Sequence, residues 1–374
     1  MDFDFSEAEI AFCEKLKGLL GSVPEKGLSR FEKDKVQESR KGLLDWLEKL
    51  AGVDYLSLGM DPGSHAVTLT AAQEELAALD PSLFLAAEVS ARIFGRLLAV
   101  YGTPEQKEKI LPGVTGGRLI GAVGLSEGGM NIENEPLGTR GVKSDTGLLV
   151  SGTKAHVVNA PVADWFAVAG NFEQGPAFFL MENGHEGLSL SPGFTMTGYR
   201  GVAVSTLTLE KAPVPPDRVI GPFKDDQRFK TVRSWEDQIL TAAGLGVMKA
   251  AYETARNHAK THMSGGKPII AYQEVGFKLS EMLTLFQTAQ LLAYRAAWMV
   301  EAGQREAPVV AHCAKVFCAE SAEKVASEAL QILGAQGCLQ GNPAEEGYCN
   351  AKYLQVAGTS TEISRMKIGD GVLG

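Results

Sequence analysis

The clearest indication of the architecture is Val204-Ser205-Thr206-Leu207-Thr208-Leu209-Glu210, because it alternates apolar and polar side chains between two regions with helical patterns. A period of two residues places Leu207 and Leu209 on one face of a β-strand. Pro213, Pro215 and Pro216 follow closely and are expected to end the strand, since proline lacks the amide donor that a sheet ladder requires. The stretch therefore predicts a sheet flanked by helical segments.

The residues around this strand share its character. Between 116 and 222 glycine is frequent, and the short apolar runs 165–169 and 176–180 are each about the length of a strand. No GxGxxG sequence follows a strand, so a dinucleotide site of the Rossmann type is not expected. We predict a small antiparallel β domain over residues 116–222.

The residues before the sheet predict an N-terminal helical domain over 1–115. Ser6 and Glu9 form a capping-box pattern ahead of an apolar run. The segments 71–79 and 83–100 are rich in Ala, Leu and Glu, which favour helices. Pro104 stands where a short last helix of this domain would begin.

The residues after the sheet predict a C-terminal helical bundle over 223–374. Ser234 is a plausible N-cap for a long helix that continues to about residue 260. An i, i+3, i+4, i+7 apolar stripe runs from Phe277 to Val300 on the next helix. Two more helices, over about 309–333 and from Thr361, complete a four-helix bundle. The predicted fold class is therefore a multi-domain α+β protein.

Composition argues against several functional classes. The chain of 374 residues carries a net charge of -9 and has no basic stretch interleaved with aromatics, so no nucleic-acid partner is expected. No secretory signal is apparent, and no apolar run approaches the ~20 residues of a membrane span. The five cysteines are scattered without a CxxC pair, which predicts a reduced, cytoplasmic protein and no metal site.

Several local strings, in the order of the chain, resemble the signatures of the acyl-CoA dehydrogenase family. The similarity extends over nearly the whole chain, and the predicted order of helices, β domain and helical bundle is also that of the family. The strings are Tyr101-Gly102-Thr103-Pro104-Glu105-Gln106-Lys107, Gly121-Ala122-Val123-Gly124-Leu125-Ser126-Glu127, Gly152-Thr153-Lys154, Gly198-Tyr199-Arg200-Gly201, Lys267-Pro268-Ile269 with Gln273, Ala351-Lys352 and Glu362-Ile363-Ser364-Arg365.

The resemblance implies α,β-dehydrogenation of an acyl thioester, carried by coenzyme A or an acyl carrier protein, to the 2-enoyl product. A base would remove the α-proton while the β-hydrogen leaves as hydride to N5 of FAD. The family completes each FAD site across subunits, which implies a homo-oligomer, either a dimer or a tetramer. An electron-transfer flavoprotein or another acceptor would then reoxidise the flavin.

The resemblance also implies which residue is the base. Most members carry a carboxylate near the C-terminus, but the corresponding segment here is Val356-Ala357-Gly358-Thr359. The isovaleryl-CoA and long-chain branches place the base on an earlier helix instead, and that position corresponds to Glu236. Without the family match, a solvated carboxylate in the first helical turn is the simpler interpretation of Glu236.

Candidate FAD-binding residues follow from the same motifs. They are Leu125, Ser126, His156, Val158, His262, Gln273, Gln331, Gly334, Ser360 and Glu362. Three depart from the family pattern: His156 replaces a Trp beside the flavin, Val158 a Thr, and His262 an Arg that meets the pyrophosphate. The lost Arg removes a charge-assisted contact worth about 1.5–3 kcal/mol.

These departures leave alternatives open. In one alternative the chain is a non-catalytic subunit that pairs with an active one. In another it is a flavin monooxygenase of the same fold, which needs no carboxylate base. The same site can also run in the reverse direction, as an enoyl reductase.

Overall fold

The computed structural model describes residues 6–21, 28–128, 135–145 and 147–373. Helices precede and follow a central sheet in the predicted order, which confirms the α+β class. The predicted domain boundary at 115/116 falls between the last N-terminal helix and the first strand. The boundary at 222/223 falls between the last strand of that sheet and the following long helix. Both boundaries remain predictions.

The N-terminal region is helical, as predicted. Its helices are α1 (Glu7–Gly21), α2 (Val36–Gly52), α3 (Ala66–Leu79), α4 (Pro81–Glu88), α5 (Arg96–Tyr101) and α6 (Pro104–Thr115). The capping box of α1 is present, since the Ser6 amide donates to Glu9 Oε2 over 2.7 Å. Between α4 and α5 the backbone continues as a π-helix over Val89–Gly95, a form that is rare and often found at functional sites.

The central region is a twisted sheet. Its strands are β1 (Gly121–Gly124), β2 (Arg140–Ser144), β3 (Gly147–Val158), β4 (Trp165–Phe172), β5 (Gly175–Glu182), β6 (Leu188–Leu190), β7 (Val204–Val214) and β8 (Val219–Ile220). They lie in the order β6-β7-β3-β2-β4-β5-β8, with β1 beside β4. The β1–β4 pair is parallel, so the sheet is mixed rather than wholly antiparallel as predicted. The long excursion through β2 and β3 between these two strands allows them to run in the same direction.

The C-terminal region returns to helices. They are α7 (Gln227–Thr261), α8 (Gln273–Glu301), α9 (Ala307–Leu333), α10 (Pro343–Val356) and α11 (Thr361–Leu373), with the short strands β9 (Met263–Ser264) and β10 (Lys267–Pro268) after α7. Each of α8, α9 and α10 packs against α7 or against a helix that does. Most of the predicted apolar stripe of α8 is buried, namely Met282, Phe286, Ala289, Ala293 and Ala296, whereas its first member, Phe277, is exposed.

The start of α7 differs from the prediction. The helix begins at Gln227, seven residues before Ser234, which therefore is not its N-cap. Phe229 and Val232 are buried two turns and one turn ahead of Trp235, so an apolar face already exists there and extends the helix backwards. Among the described residues, no helix is long and apolar enough to cross a membrane.

Candidate active site

Glu236 is the tenth residue of α7 and its side chain is 29 % exposed. It therefore lies well past the first helical turn, where the field of the helix terminus has faded. The neighbouring residues on the helix point to different parts of the molecule. Trp235 and Asp237 are buried, whereas Ser234 is exposed and its hydroxyl donates back to the Thr231 carbonyl over 2.7 Å.

Arg233 connects Glu236 to the sheet. Its side chain is 7 % exposed and its Nη1 forms a close ion pair with Glu236 Oε2, one turn along α7. Its Nη2 donates to Ser126 Oγ over 2.6 Å. Since the two ends of a planar guanidinium are fixed relative to each other, Arg233 holds the Glu236 carboxylate against the loop that follows β1. The sequence did not indicate this role, because it depends on a contact between residues 107 positions apart.

The loop that carries Ser126 is itself fixed by a partly buried ion pair. Lys154 is fully buried on β3, and its Nζ lies 2.7 Å from Glu127 Oε1. Glu127 also accepts hydrogen bonds from the backbone amides of Gly138 and Thr139, over 2.7 and 2.9 Å. Burial lowers the pKa of Lys154 to about 8, against the opposing attraction of Glu127. The predicted flavin-binding pair Leu125 and Ser126 therefore stands on a rigid support.

Asp237 lies on the other side of Glu236 and is almost completely buried. Its Oδ1 accepts a hydrogen bond from the Thr359 amide over 2.7 Å. Burial raises the pKa of this carboxyl to about 6, although the charge of Lys315 opposes the shift. Lys315, on α9, is also fully buried and donates from Nζ to the carbonyls of Leu354 and Ala357. Burial lowers its pKa.

Arg233, Glu236, Asp237 and Lys315 thus form one group, which we name the α7 charge cluster. It contains two cations and two carboxylates, so its formal charges balance. Several of its polar atoms are buried and lack a hydrogen-bond partner among the described residues. Within the cluster these atoms are Arg233 Nε and Asp237 Oδ2. Thr359 Oγ1, in the segment before α11, is a third such atom beside them.

Gly358 lies in the segment that the family resemblance matches to the C-terminal carboxylate of other members. A β-carbon added to Gly358 would lie 3.7 Å from Glu236 Cδ, so the empty segment and the proposed base occupy neighbouring space. The same β-carbon would be 2.6 Å from Asp237 Oδ1 and 2.8 Å from Leu240 Cδ1. With φ at +65°, the position also favours glycine on backbone grounds.

Ser360 and Glu362 follow directly at the start of α11. Ser360 is half-buried and its hydroxyl accepts from the Ile363 amide over 3.4 Å, while Glu362 is exposed. Thr359 ties this segment to Asp237, so Ser360 lies near the α7 charge cluster.

His156 and Val158 lie near the end of β3. The register of β3 against β7 shifts between Lys154 and Val157, which places His156 in a bulge with φ at +52° and its side chain exposed. Its ring centroid lies 5.5 Å from that of Phe194. Val158 is half-buried and pairs with Val204.

The remaining candidates lie at the other end of the bundle. His262 caps the C-terminus of α7, about 39 Å from Glu236 along a helix with a rise of about 1.5 Å per residue. Gln331 lies sixteen residues beyond Lys315 on α9, about 24 Å along that helix. Gln273, Gln331 and Gly334 are all exposed. The structure therefore separates the ten candidates into two groups within one chain.

This separation bears on whether the residues fit FAD. The group near Glu236 offers a rigid loop, the Ser126 hydroxyl and buried polar atoms without partners, as a polar ligand requires. The distant group is exposed, and its polar side chains are those of His262, Gln273 and Gln331. The residues near Glu236 fit the flavin end of FAD, and the lost Arg at His262 concerns the other group.

The order of helices, sheet and helices around this site defines an acyl-CoA dehydrogenase-type fold. Butyryl-CoA dehydrogenase from Megasphaera elsdenii has the same fold, with a TM-score of 0.88 at 23 % identity over all of both chains. The prolyl acyl carrier protein oxidase AnaB superposes with a TM-score of 0.87 at 25 % identity, covering 99 % of this chain and 100 % of the other.

The sequence identifies the family. Residues 36–118 match the acyl-CoA dehydrogenase N-terminal domain and residues 235–373 match the C-terminal domain. Cyclohex-1-ene-1-carbonyl-CoA dehydrogenase of Syntrophus aciditrophicus is 28 % identical over 88 % of this chain and 80 % of its own length. The human mitochondrial short-chain specific acyl-CoA dehydrogenase is 27 % identical over 86 % of this chain and 77 % of its own length.

This chain belongs to the acyl-CoA dehydrogenase family, whose members are FAD-dependent oxidoreductases. The predictions of the family, the fold, the enzyme class and FAD as cofactor are thereby confirmed. The base, the individual cofactor contacts and the substrate remain predictions. Among the described residues, no group of three or more His, Cys, Asp or Glu side chains is arranged to hold a metal ion.

Proposed function

We propose that this protein oxidises a saturated acyl thioester to the 2-enoyl thioester, with Glu236 as the base that removes the α-proton. The observation that carries the proposal is the position of Glu236 beside Gly358. The carboxylate that the C-terminal segment lacks is supplied, at nearly the same place, from α7.

The two oxygens of Glu236 have different surroundings. Oε2 is paired with Arg233, whereas Oε1 has no hydrogen-bond partner among the described residues. Oε1 is therefore the atom that would take the proton, while Oε2 keeps the carboxylate in place. A general base needs such positioning as well as basicity. When bound, FAD would supply the acceptor for the hydride that leaves the β-carbon.

The substrate carrier is coenzyme A or an acyl carrier protein, since relatives of both kinds share the fold. An electron-transfer flavoprotein or another redox partner would accept the electrons. The separated cofactor residues also support a homo-oligomer, because His262 lies about 39 Å from Glu236 along α7.

The exposed face of α8 supports the same conclusion. Phe277, Leu291 and Trp298 are 64 %, 57 % and 50 % exposed and follow one another at multiples of seven residues. Apolar side chains at that spacing form one stripe along a helix, which is the kind of surface that a second copy covers.

The function is tested with Glu236→Gln. The purified protein should show the visible absorbance of bound flavin, and the variant should keep that absorbance while losing at least about 10²-fold in dehydrogenation rate. Glu253→Gln, an exposed carboxylate on the same helix, is the matched control and should retain full activity. A panel of acyl-CoA and acyl-carrier-protein thioesters then defines the carrier.

Two outcomes would contradict the proposal. A protein that binds no flavin even when FAD is added would be the non-catalytic subunit considered above. A flavin-loaded enzyme whose Glu236→Gln variant keeps the wild-type rate would use no carboxylate base, as a monooxygenase of this fold would.

A further inference from the structure

A second group of buried charges lies on the segment that runs from α4 through the π-helix into α5. Glu88, Arg92 and Arg96 are 0 %, 0 % and 3 % exposed, and we name them the α4 charge cluster. Within the cluster two guanidinium groups face one buried carboxylate, which is an excess of one positive charge. The exposed Asp61 also attracts Arg96, but among the described residues no ion pair joins the two. A buried charge without a counter-charge is costly, which makes the excess informative.

The carboxylate of Glu88 is fully engaged. Its Oε1 accepts from the Tyr55 hydroxyl over 2.7 Å and its Oε2 from Gln73 Nε2 over 2.6 Å. Arg92 Nη1 lies 3.5 Å from Glu88 Oε1, so Arg92 is the nearer cation. Burial and the neighbouring charge of Arg92 lower the pKa of Arg96 to about 10, and Arg96 therefore stays protonated near neutral pH.

Arg96 makes few contacts of its own. Its Nε donates to the Gly59 carbonyl over 2.8 Å, and its Cζ lies 5.4 Å from the centroid of the Trp235 ring. Among the described residues, neither Nη atom of Arg96 has a hydrogen bond or a carboxylate within ion-pair distance. A guanidinium has five donors, so most of its hydrogen-bonding capacity is unused.

The guanidinium of Arg96 borders a cavity between α3, α7, α8 and α9. The walls are mainly small and apolar, with Leu69, Ile239, Ala293, Ala297, Val300 and Ala311 among them. The volume open to the centres of water molecules is about 40 Å³. One water needs about 10–15 Å³ by this measure, so there is room for roughly three water-sized groups.

We propose that this cavity binds a small aliphatic carboxylate, with the Nη atoms of Arg96 on the carboxylate and the alkyl group against the alanine-lined wall. Room for roughly three water-sized groups suits a carboxylate with a short alkyl group, such as propionate. The excess positive charge requires an anion, and the apolar walls favour an organic one over a hydrated inorganic ion.

This site is distinct from the Glu236 site. Trp235 lines the cavity, and Glu236, the next residue, points about 100° further round α7, since the helix has 3.6 residues per turn. The inference therefore goes beyond the proposed function and does not depend on it.

The inference is tested by isothermal titration calorimetry, which measures the affinity of the full-length protein for propionate. Propionamide serves as the uncharged analogue, and chloride at equal ionic strength serves as the simple anion. Propionate should bind at least about tenfold more tightly than either, because only it offers both charge and an alkyl group. Hexanoate should be too long for the cavity and bind more weakly.

Two variants locate the site. Arg96→Met removes the cation, and Ala297→Leu keeps the cation but fills the cavity from a half-buried position. Each should weaken propionate binding at least about tenfold. Arg256→Met, an exposed arginine on α7, is the matched control and should bind as the wild type does. If Arg96→Met does not fold, propionate binding by Ala297→Leu alone tests whether the ligand occupies this cavity.

Equal affinity for propionate and propionamide, or unchanged binding in Ala297→Leu, would overturn the inference. Weakened propionate binding in Glu236→Gln would also overturn it, because the ligand would then lie at the proposed base. Failure of the dehydrogenase activity alone would leave this result unaffected.

Discussion

The two charge clusters contact neighbouring parts of α7 but differ in their balance. The α7 charge cluster pairs Arg233 with Glu236, and Lys315 faces Asp237. The α4 charge cluster sets Arg92 and Arg96 against a single carboxylate. A balanced cluster can be stabilised by its own members, whereas an excess of charge calls for a partner from outside the chain. The difference therefore separates the charges that we assign to the proposed active site from those that we assign to the proposed carboxylate site.

The largest effect is expected from breaking the balanced cluster. Lys315→Met should lower the free energy of unfolding near pH 7 by about 3–5 kcal/mol, because Asp237 loses its buried counter-charge. The Leu354 and Ala357 carbonyls also lose their donor. Chemical denaturation measures the change. Lys324→Met on the same helix, at a 53 % exposed side chain, should cost less than about 1 kcal/mol. Equal losses in both variants would contradict this view.

A somewhat smaller effect is expected from pH. The Asp237 carboxyl has a pKa of about 6 in the folded protein and a usual value of 3.8. The folded state therefore binds more protons between these values, and stability falls as pH rises from about 4 to about 6. Asp237→Asn removes this titrating carboxyl, so the variant lacks its contribution to the pH dependence of stability. Across that range the wild type should lose about 2–3 kcal/mol more than the variant.

Parallel denaturation curves for wild type and Asp237→Asn at about pH 4.5 and about pH 7.5 measure this difference. Other carboxyls titrate equally in both proteins, so only the difference between them is informative. Identical pH profiles would show that the Asp237 carboxyl is not held protonated by burial.

The next effect concerns the position of the base. Arg233→Met frees Glu236 from Ser126 and should reduce kcat by about 10–100-fold, since a misplaced base loses its alignment with the substrate. Arg233→Lys keeps the charge but not the two-ended contact, and should fall between wild type and Arg233→Met. Steady-state kinetics at matched flavin content measure the effect. A change confined to KM would instead assign Arg233 to substrate binding.

The smallest effect is expected where the charge is in excess. Arg96→Met should change the free energy of unfolding by less than about 1 kcal/mol without added ligand, because the lost hydrogen bond to Gly59 is offset by removing a buried, unpaired charge. Denaturation alongside Lys315→Met gives the direct comparison. A loss as large as that of Lys315→Met would mean that Arg96 is paired within the chain after all.

Much of the fold could be predicted from the sequence, because period and composition determine it locally. The alternation at 204–210 and the apolar stripe from Phe277 to Val300 were sufficient for the sheet and for α8. The start of α7 was placed too late, since Ser234 looked like a cap. The buried Phe229 and Val232, three residues apart and three before Trp235, were the signal that could have corrected it.

The site was less accessible to such reasoning. Glu236 could be proposed from the family motif, but Arg233 and Lys315 act through contacts that no local pattern contains. Lys315 stands in an apolar helical stretch, where a lysine usually reaches solvent rather than two buried carbonyls. The mixed sheet was missed for a related reason, because strand direction depends on how distant segments meet.

Gly358 limits how the active site can change by mutation. Asp237 and Leu240 already fill the space into which its side chain would grow, and the backbone there has a conformation that other residues rarely adopt. A carboxylate can return to this position only after at least one of those two residues has been replaced. The order of substitutions is thus restricted, and the proposed base on α7 cannot be moved to position 358 by a single substitution.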